Sequence, residues 1–356
     1  MKKIIALFMT AMVMVGILSA CNMAQTQETE TTTTGTAAEE TVSEDKAEAS
    51  TDSIAIVTTI FPEYDWVNVI LGENAANVEV TMLLDNGVDL HSYQPTAEDI
   101  MKIATCDLFI YVGGESDEWV EDALAEATNK DMQVINLLEV LGENVKEEEV
   151  VEGMEAEEEH EEEHEEADSG EEHEEEEVEY DEHVWLSLKN AQVLCTAIEE
   201  SLEVIDSANS DLYKANLEAY VAQLSDLDAQ YQAAVDSSEV DTLLFGDRFP
   251  FRYLVDDYGL SYYAAFVGCS AETEASFETI TFLAQKVDEL SLGTVLTIES
   301  SDQKIAQTIV ENTQSKDQQI LTMDSMQSTT SKDVASGTTY LSVMESNLSV
   351  LKAALE

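Results

Sequence analysis

The stretch SDLYKANLEAYVAQLSDLDAQYQAAV, residues 210–235, decides how this chain is built. It contains neither Gly nor Pro, so nothing inside it interrupts an α-helix. At about 1.5 Å of rise per residue, such a helix is long enough to cross the back of a whole domain. On either side the pattern changes to short apolar runs alternating with helical spacing. Upstream, strand-like runs at residues 54–59, 78–83, 108–112 and 133–136 alternate with helical periods at 64–71, 96–104 and 119–127, and a further helical period covers 185–198. Downstream, strands at 242–246, 262–266, 294–299 and 319–323 alternate with helices at 251–258, 277–290, 305–312 and 338–355. Alternation of this kind predicts parallel sheets with helices on their faces. The expected fold is therefore α/β: two (β/α) lobes over residues 53–205 and 239–356, joined by one long helix within 206–238.

The beginning of the chain is of another kind. Lys2 and Lys3 precede an apolar run over residues 4–18, so residues 1–20 read as an export signal. That run ends in Leu18-Ser19-Ala20-Cys21, which resembles the cleavage and lipidation box of bacterial lipoproteins. The resemblance implies a lipid on Cys21 holding the protein at the extracellular face of a bacterial cytoplasmic membrane. No later segment is long and apolar enough to span a bilayer. Residues 21–52 are rich in Thr, Glu, Ala and Ser and poor in large apolar side chains, so beyond the lipidated cysteine they read as a disordered tether. The other cysteines, Cys106, Cys195 and Cys269, form no close-spaced pair, and an odd number argues against a disulfide framework. Each stands among apolar or small neighbours, so all three are expected to be buried small hydrophobes rather than metal ligands.

Charge narrows the partners. With 76 acidic against 15 basic side chains, the formal net charge is -61, which repels nucleic acid and attracts cations. Nearly a third of the acidic residues fall in a low-complexity run at 143–182, together with His160, His164 and His173. Like charges at this density oppose compaction, so the run is expected to be a mobile loop, either a solvated segment or a cation antenna. Of the five histidines in the chain, the other two are His91, in Asn86-Gly87-Val88-Asp89-Leu90-His91, and His183, in Asp181-Glu182-His183-Val184-Trp185. Neutral imidazole is the commonest transition-metal ligand. Both histidines fall in loops at the predicted carboxyl edge of the sheets, where open α/β folds bind their ligands.

The segments Thr58-Thr59-Ile60-Phe61-Pro62, Gly87-Val88-Asp89-Leu90-His91-Ser92-Tyr93-Gln94-Pro95-Thr96, Asp107-Leu108-Phe109-Ile110-Tyr111-Val112-Gly113-Gly114 and Asp181-Glu182-His183-Val184-Trp185-Leu186-Ser187 closely resemble the metal-binding proteins that feed zinc and manganese ABC importers. The resemblance extends over residues 53–356. It implies that the linking helix is rigid, that the metal sits in the cleft between the lobes, and that His91, His183 and Asp324 are ligands. It also implies a non-enzymatic, monomeric binding protein whose partners are an ABC permease and its ATPase. At the family's remaining ligand position this chain has Arg248, whose guanidinium stays protonated and has no lone pair to offer. Several substitutes stay open. They are Asp247, a water in a three-ligand site, a His or Glu of the acidic run, and Glu272 or Glu274. Arg248 could instead pair with Asp324, so that the cleft holds an anion or a metal chelate. The acidic run resembles the loop of zinc-specific members, and imidazole suits Zn2+ better than Mn2+, so zinc is the expected cargo and manganese the alternative. A zinc hydrolase is a rival reading, although no HExxH motif occurs. An adhesion lipoprotein with a vestigial cleft is another.

Overall fold

Residues 53–155, 179–270 and 274–356 are described by the computed structural model. In the first half, β1 (Ile54–Thr58), β2 (Val78–Met82), β3 (Leu108–Tyr111) and β4 (Gln133–Asn136) form a parallel sheet in the order β2-β1-β3-β4. In the second half, β5 (Thr242–Phe249), β6 (Ser261–Val267), β7 (Thr294–Ile298) and β8 (Gln319–Met323) repeat that layout as β6-β5-β7-β8. In each sheet the chain leaves its first strand toward one neighbour and returns on the other side. The carboxyl ends on either side of that reversal open a crevice for ligands.

The helices are α1 (Phe61–Leu71), α2 (Ala97–Thr105), α3 (Trp119–Ala125), α4 (Leu137–Leu141), α5 (Leu188–Ile205), α6 (Ser210–Asp236), α7 (Arg252–Tyr258), α8 (Phe277–Leu290), α9 (Lys304–Asn312), α10 (Ser331–Ala335) and α11 (Tyr340–Ala354). The sequence pattern misses α4 and α10, which at five residues each are too short to show a helical period. It also ends β5 too early. That strand continues to Phe249 through a register irregularity between Phe245 and Arg248, which carries Asp247 and Arg248 to the carboxyl end of the sheet.

The linking helix α6 has 27 residues and buries Tyr213, Tyr220, Leu224, Leu227 and Tyr231. Its first half is tied to the first lobe, where Asn216 Nδ2 donates to the carbonyl of Ile70 at 2.9 Å. Its second half is tied to the other lobe: Tyr231 Oη donates to Met344 O at 2.6 Å and Tyr258 Oη donates to Asp228 at 2.9 Å. Apolar packing does not stop at a lobe boundary. One cluster joins Ile56, Trp66 and Leu224 to Phe245, Tyr253 and Leu351, so a single core runs beneath both sheets. A smaller cluster around Leu244, Phe266, Leu283 and Ile309 fills the space under α8 and α9.

Between the lobes lies a hydrogen-bonded seam. Asp65 on α1 accepts from Tyr340 N at 2.9 Å, Tyr340 Oη donates to Trp185 O at 2.6 Å, and Trp185 Nε1 donates to Ser325 O at 2.8 Å. The expected mobility of the acidic run requires correction at its ends. Glu148 N donates to Glu179 O at 3.0 Å, Asp181 N to Lys146 O at 2.9 Å, and Glu155 N to Ala265 O of β6 at 3.0 Å. Val145, Val151 and Met154 anchor this flank on the core, apolar contacts that a pure Glu/His stretch lacks. His160, His164, His173 and Glu272 lie outside the described residues, as do the signal, Cys21 and the tether.

Replacing Tyr340 by Phe leaves the buried carbonyl of Trp185 without this donor. The expected cost is about 1–3 kcal/mol, read as a lower urea midpoint at unchanged slope; a wild-type midpoint would show that the seam adds no stability.

Candidate metal site

His91 is positioned by a succession of local caps. Gly87 takes a positive φ of 73°, and Asp89 then caps the short 3₁₀ turn Leu90–Ser92, its carboxylate accepting from His91 N at 3.2 Å. Thr96 and Asp99 form a reciprocal capping box that starts α2 directly afterwards. On the opposite side, Asp181 Oδ1 accepts from both His183 N at 2.9 Å and His183 Nδ1 at 3.0 Å. A 3₁₀ turn over Val184–Leu186 follows, and Ser187 caps α5 by accepting from Asn190 N at 3.0 Å. His183 is fully buried.

These two loops bring the imidazoles together, with Nε2 of His91 lying 3.2 Å from Nε2 of His183. Both outward nitrogens are already engaged. His91 Nδ1 is 2.8 Å from Ser116 Oγ and 3.4 Å from the Glu182 carboxylate, and His183 Nδ1 faces Asp181. The Asp181 carboxylate assigns the proton of the neutral His183 ring to Nδ1, and when His91 carries its proton on Nδ1, toward Ser116 and Glu182, the two Nε2 lone pairs point at each other. Two lone pairs at this separation repel unless a proton or a cation lies between them. Carboxylates behind ligating imidazoles are the usual outer partners of metal sites.

The surrounding charge favours a cation. Burial would lift the Glu182 carboxyl, but the hydrogen bond and charge of His91, with the Ser116 contacts, hold it below its ordinary value. Asp89 follows the same balance, with burial outweighed by Arg248 and His91. Burial disfavours the charged form of His183, yet Asp181, Glu182 and Asp89 together raise its pKa above 6.5.

Among the described residues, the donor atoms of His91, His183 and Cys269 lie within 4.8 Å of one another. Cys269 was misread from sequence as a core residue. It is only partly buried, unlike Cys106 and Cys195. The available signal was its place just after β6, at a carboxyl sheet edge. Its neighbour Gly268 is there for space: a Cβ would sit 2.9 Å from both His183 Cε1 and Phe249 O.

Asp324 does not join this group. Its carboxylate caps Met326 N at 2.8 Å, its backbone is gripped by Asn347, and burial with the nearby Glu299 charge lifts its pKa to about 6. Nor does Arg248 pair with Asp324, because the guanidinium reaches Asp89 at 2.7 Å and Ser270 O at 3.3 Å. Asp247 accepts from Arg248 N and Ile298 N at 2.9 and 3.4 Å. Glu274 is exposed and stands near Lys304. Two cavities flank the imidazoles. One, of about 370 Å³, is lined by Asp89, Asp247 and Arg248, and the other, of about 250 Å³, by Glu115, Glu148, Glu179, Glu182 and Cys269.

A family profile described as zinc-uptake complex component A, periplasmic, matches residues 56–354. The chain belongs to that family. Zinc-binding protein AdcA of Streptococcus pyogenes serotype M3 is 27% identical over 305 residues, covering 84% of this chain and 55% of that protein. The chain thus spans about half the length of the curated relatives it matches first. The high-affinity zinc uptake system protein ZnuA of Bacillus subtilis is 28% identical over 309 residues, 87% of this chain and 90% of its own. The Zn(II)-bound ZnuA-like domain of Streptococcus pneumoniae AdcA has a TM-score of 0.65 at 25% identity, covering 85% of this chain and 99% of that one. These likenesses agree with the two-lobed α/β layout. The family is one of uptake components, not of enzymes.

Gly268→Ala tests the geometry. By displacing His183 it is expected to weaken divalent-metal binding by about 10–100-fold, the usual cost of disturbing the outer support of a ligand. A chelator-competition titration measures this, with circular dichroism to check the fold; unchanged affinity would mean that the ring does not need its present position.

Proposed function

We propose that this protein captures a zinc ion outside the cytoplasmic membrane, held there by a lipid on Cys21, and delivers it to an ABC permease driven by its ATPase. The observation that carries the reading is the pair of facing Nε2 atoms, 3.2 Å apart, with both Nδ1 atoms engaged from behind. Tetrahedral zinc with Zn–N bonds of about 2.0–2.1 Å places two nitrogens about 3.3–3.4 Å apart, so the rings need little rearrangement to share an ion. Family membership and the zinc named for the relatives support the same cargo. Imidazole favours zinc over manganese.

In this reading His91 and His183 are ligands, and the Asp181 and Glu182 carboxylates orient them. Arg248 donates nothing to the metal and braces the His91 loop through Asp89. The acidic run, with His160, His164 and His173, serves as a cation antenna. Its ordered base supplies Glu148 and Glu179 to the acid-lined cavity that reaches His91, which gives collected ions a short path to the site.

Calorimetry and metal analysis on the purified protein test the assignment. One tightly bound zinc per chain is expected. His91→Ala and His183→Ala should each weaken it by more than the about 10–100-fold that loss of an outer partner costs. Wild-type affinity in both variants would end the proposal.

Acid should oppose capture. A raised imidazole pKa means that His183 holds a competing proton at higher pH than usual. Zinc affinity is therefore expected to begin falling above pH 6.5 and to keep falling as the solution is acidified. Constant affinity from about pH 8 to about pH 5 would contradict proton competition at imidazole ligands.

A further inference from the structure

We propose that Cys269 is a ligand of the captured metal, its sulfur joining the Nε2 atoms of His91 and His183 at the site where Arg248 offers no donor. The inference rests on the zinc-capture reading above and supplies the donor that reading lacks.

Geometry is the first argument. The three donor atoms already lie within 4.8 Å of one another, although they come from three separate loops. With bonds of about 2.0–2.3 Å, a tetrahedral zinc needs donor separations of about 3.3–3.6 Å, which a modest side-chain adjustment provides. Placement is the second. Cys106 and Cys195 belong to the apolar core, whereas Cys269 is outside it and lines the acid-walled cavity beside His91 and Glu182.

The third argument is how the loop is held. Gly268 passes against the His183 ring with no room for a side chain, and Cys269 N donates to Glu148 Oε1 at 3.3 Å. Arg248 then joins the two loops: one arm donates to Ser270 O at 3.3 Å, next to Cys269, and the other to Asp89 at 2.7 Å, in the His91 turn. The residue that cannot coordinate thus braces two that can. As the metal–sulfur bond forms, the thiol proton passes to solvent and the metal holds the thiolate. A thiolate donor also separates cargoes, because soft sulfur suits zinc far better than manganese.

Cobalt(II) replaces zinc as a spectroscopic probe in the purified full chain. A sulfur-to-cobalt charge-transfer band in the near ultraviolet is expected. Cys269→Ser should lose that band, bind zinc about tenfold or more weakly, and narrow the zinc-over-manganese preference, with circular dichroism unchanged. Cys269→Ala should behave alike, which guards against a serine-specific effect. Absence of the band from the cobalt-loaded wild type, or wild-type zinc affinity in both Cys269 variants, overturns the inference. Should the two histidine variants lose zinc while the Cys269 variants keep it, only this inference fails. Indifference of all four would end the zinc-capture reading as well.

Discussion

The candidate site depends on holding two imidazole nitrogens face to face. His91 and His183 are 92 residues apart in the chain, and their Nε2 atoms stand 3.2 Å apart. Neither ring is free to turn away, because each Nδ1 is engaged by a carboxylate or hydroxyl that is itself built into a loop. Asp181 grips His183 through both backbone and ring, and Glu182 accepts from Ser116 N at 2.9 Å while facing His91. A pair of lone pairs held in opposition is an arrangement whose electrostatics a cation relieves.

Keeping that geometry requires lobes that do not drift. A continuous apolar core under both sheets, α6 bonded to each lobe at opposite ends, and the seam through Asp65, Tyr340, Trp185 and Ser325 all oppose a wide hinge opening. Opening the lobes would expose much of that shared core, at about 25 cal/mol for each Å² of apolar surface. Motion is cheaper in the loops above the sheets, where the His91 turn and the Gly268-Cys269 segment meet the cavities. Access to the imidazoles in this architecture is therefore a matter for loops and side chains more than for whole lobes.

Arg248 sets the balance of charge beside the two imidazoles. Placed at the end of β5, the guanidinium bonds Asp89 and neutralises a charge that would otherwise stand uncompensated beside the rings. Negative charge remains in excess around the imidazoles, from Asp181, Glu182 and the Glu148 and Glu179 carboxylates at the base of the acidic run. The site thus retains its attraction for cations with a permanent positive charge in its wall.

By itself the sequence determined the two-lobed α/β layout, because hydrophobic period and the absence of breakers in 210–235 are local properties written in order along the chain. It also pointed to His91 and His183, through loop motifs that resemble those of metal-uptake binding proteins. Tertiary structure alone decided which donors converge. Cys269 reaches the imidazoles, Asp324 turns to cap its own loop, and Arg248 pairs with Asp89 instead of Asp324. It also decided that the flanks of the acidic run are stitched to each other and to β6. Those outcomes rest on which loop lies beside which at the sheet edges, and on a few ångströms of backbone approach at Gly268, quantities to which residue pattern is blind.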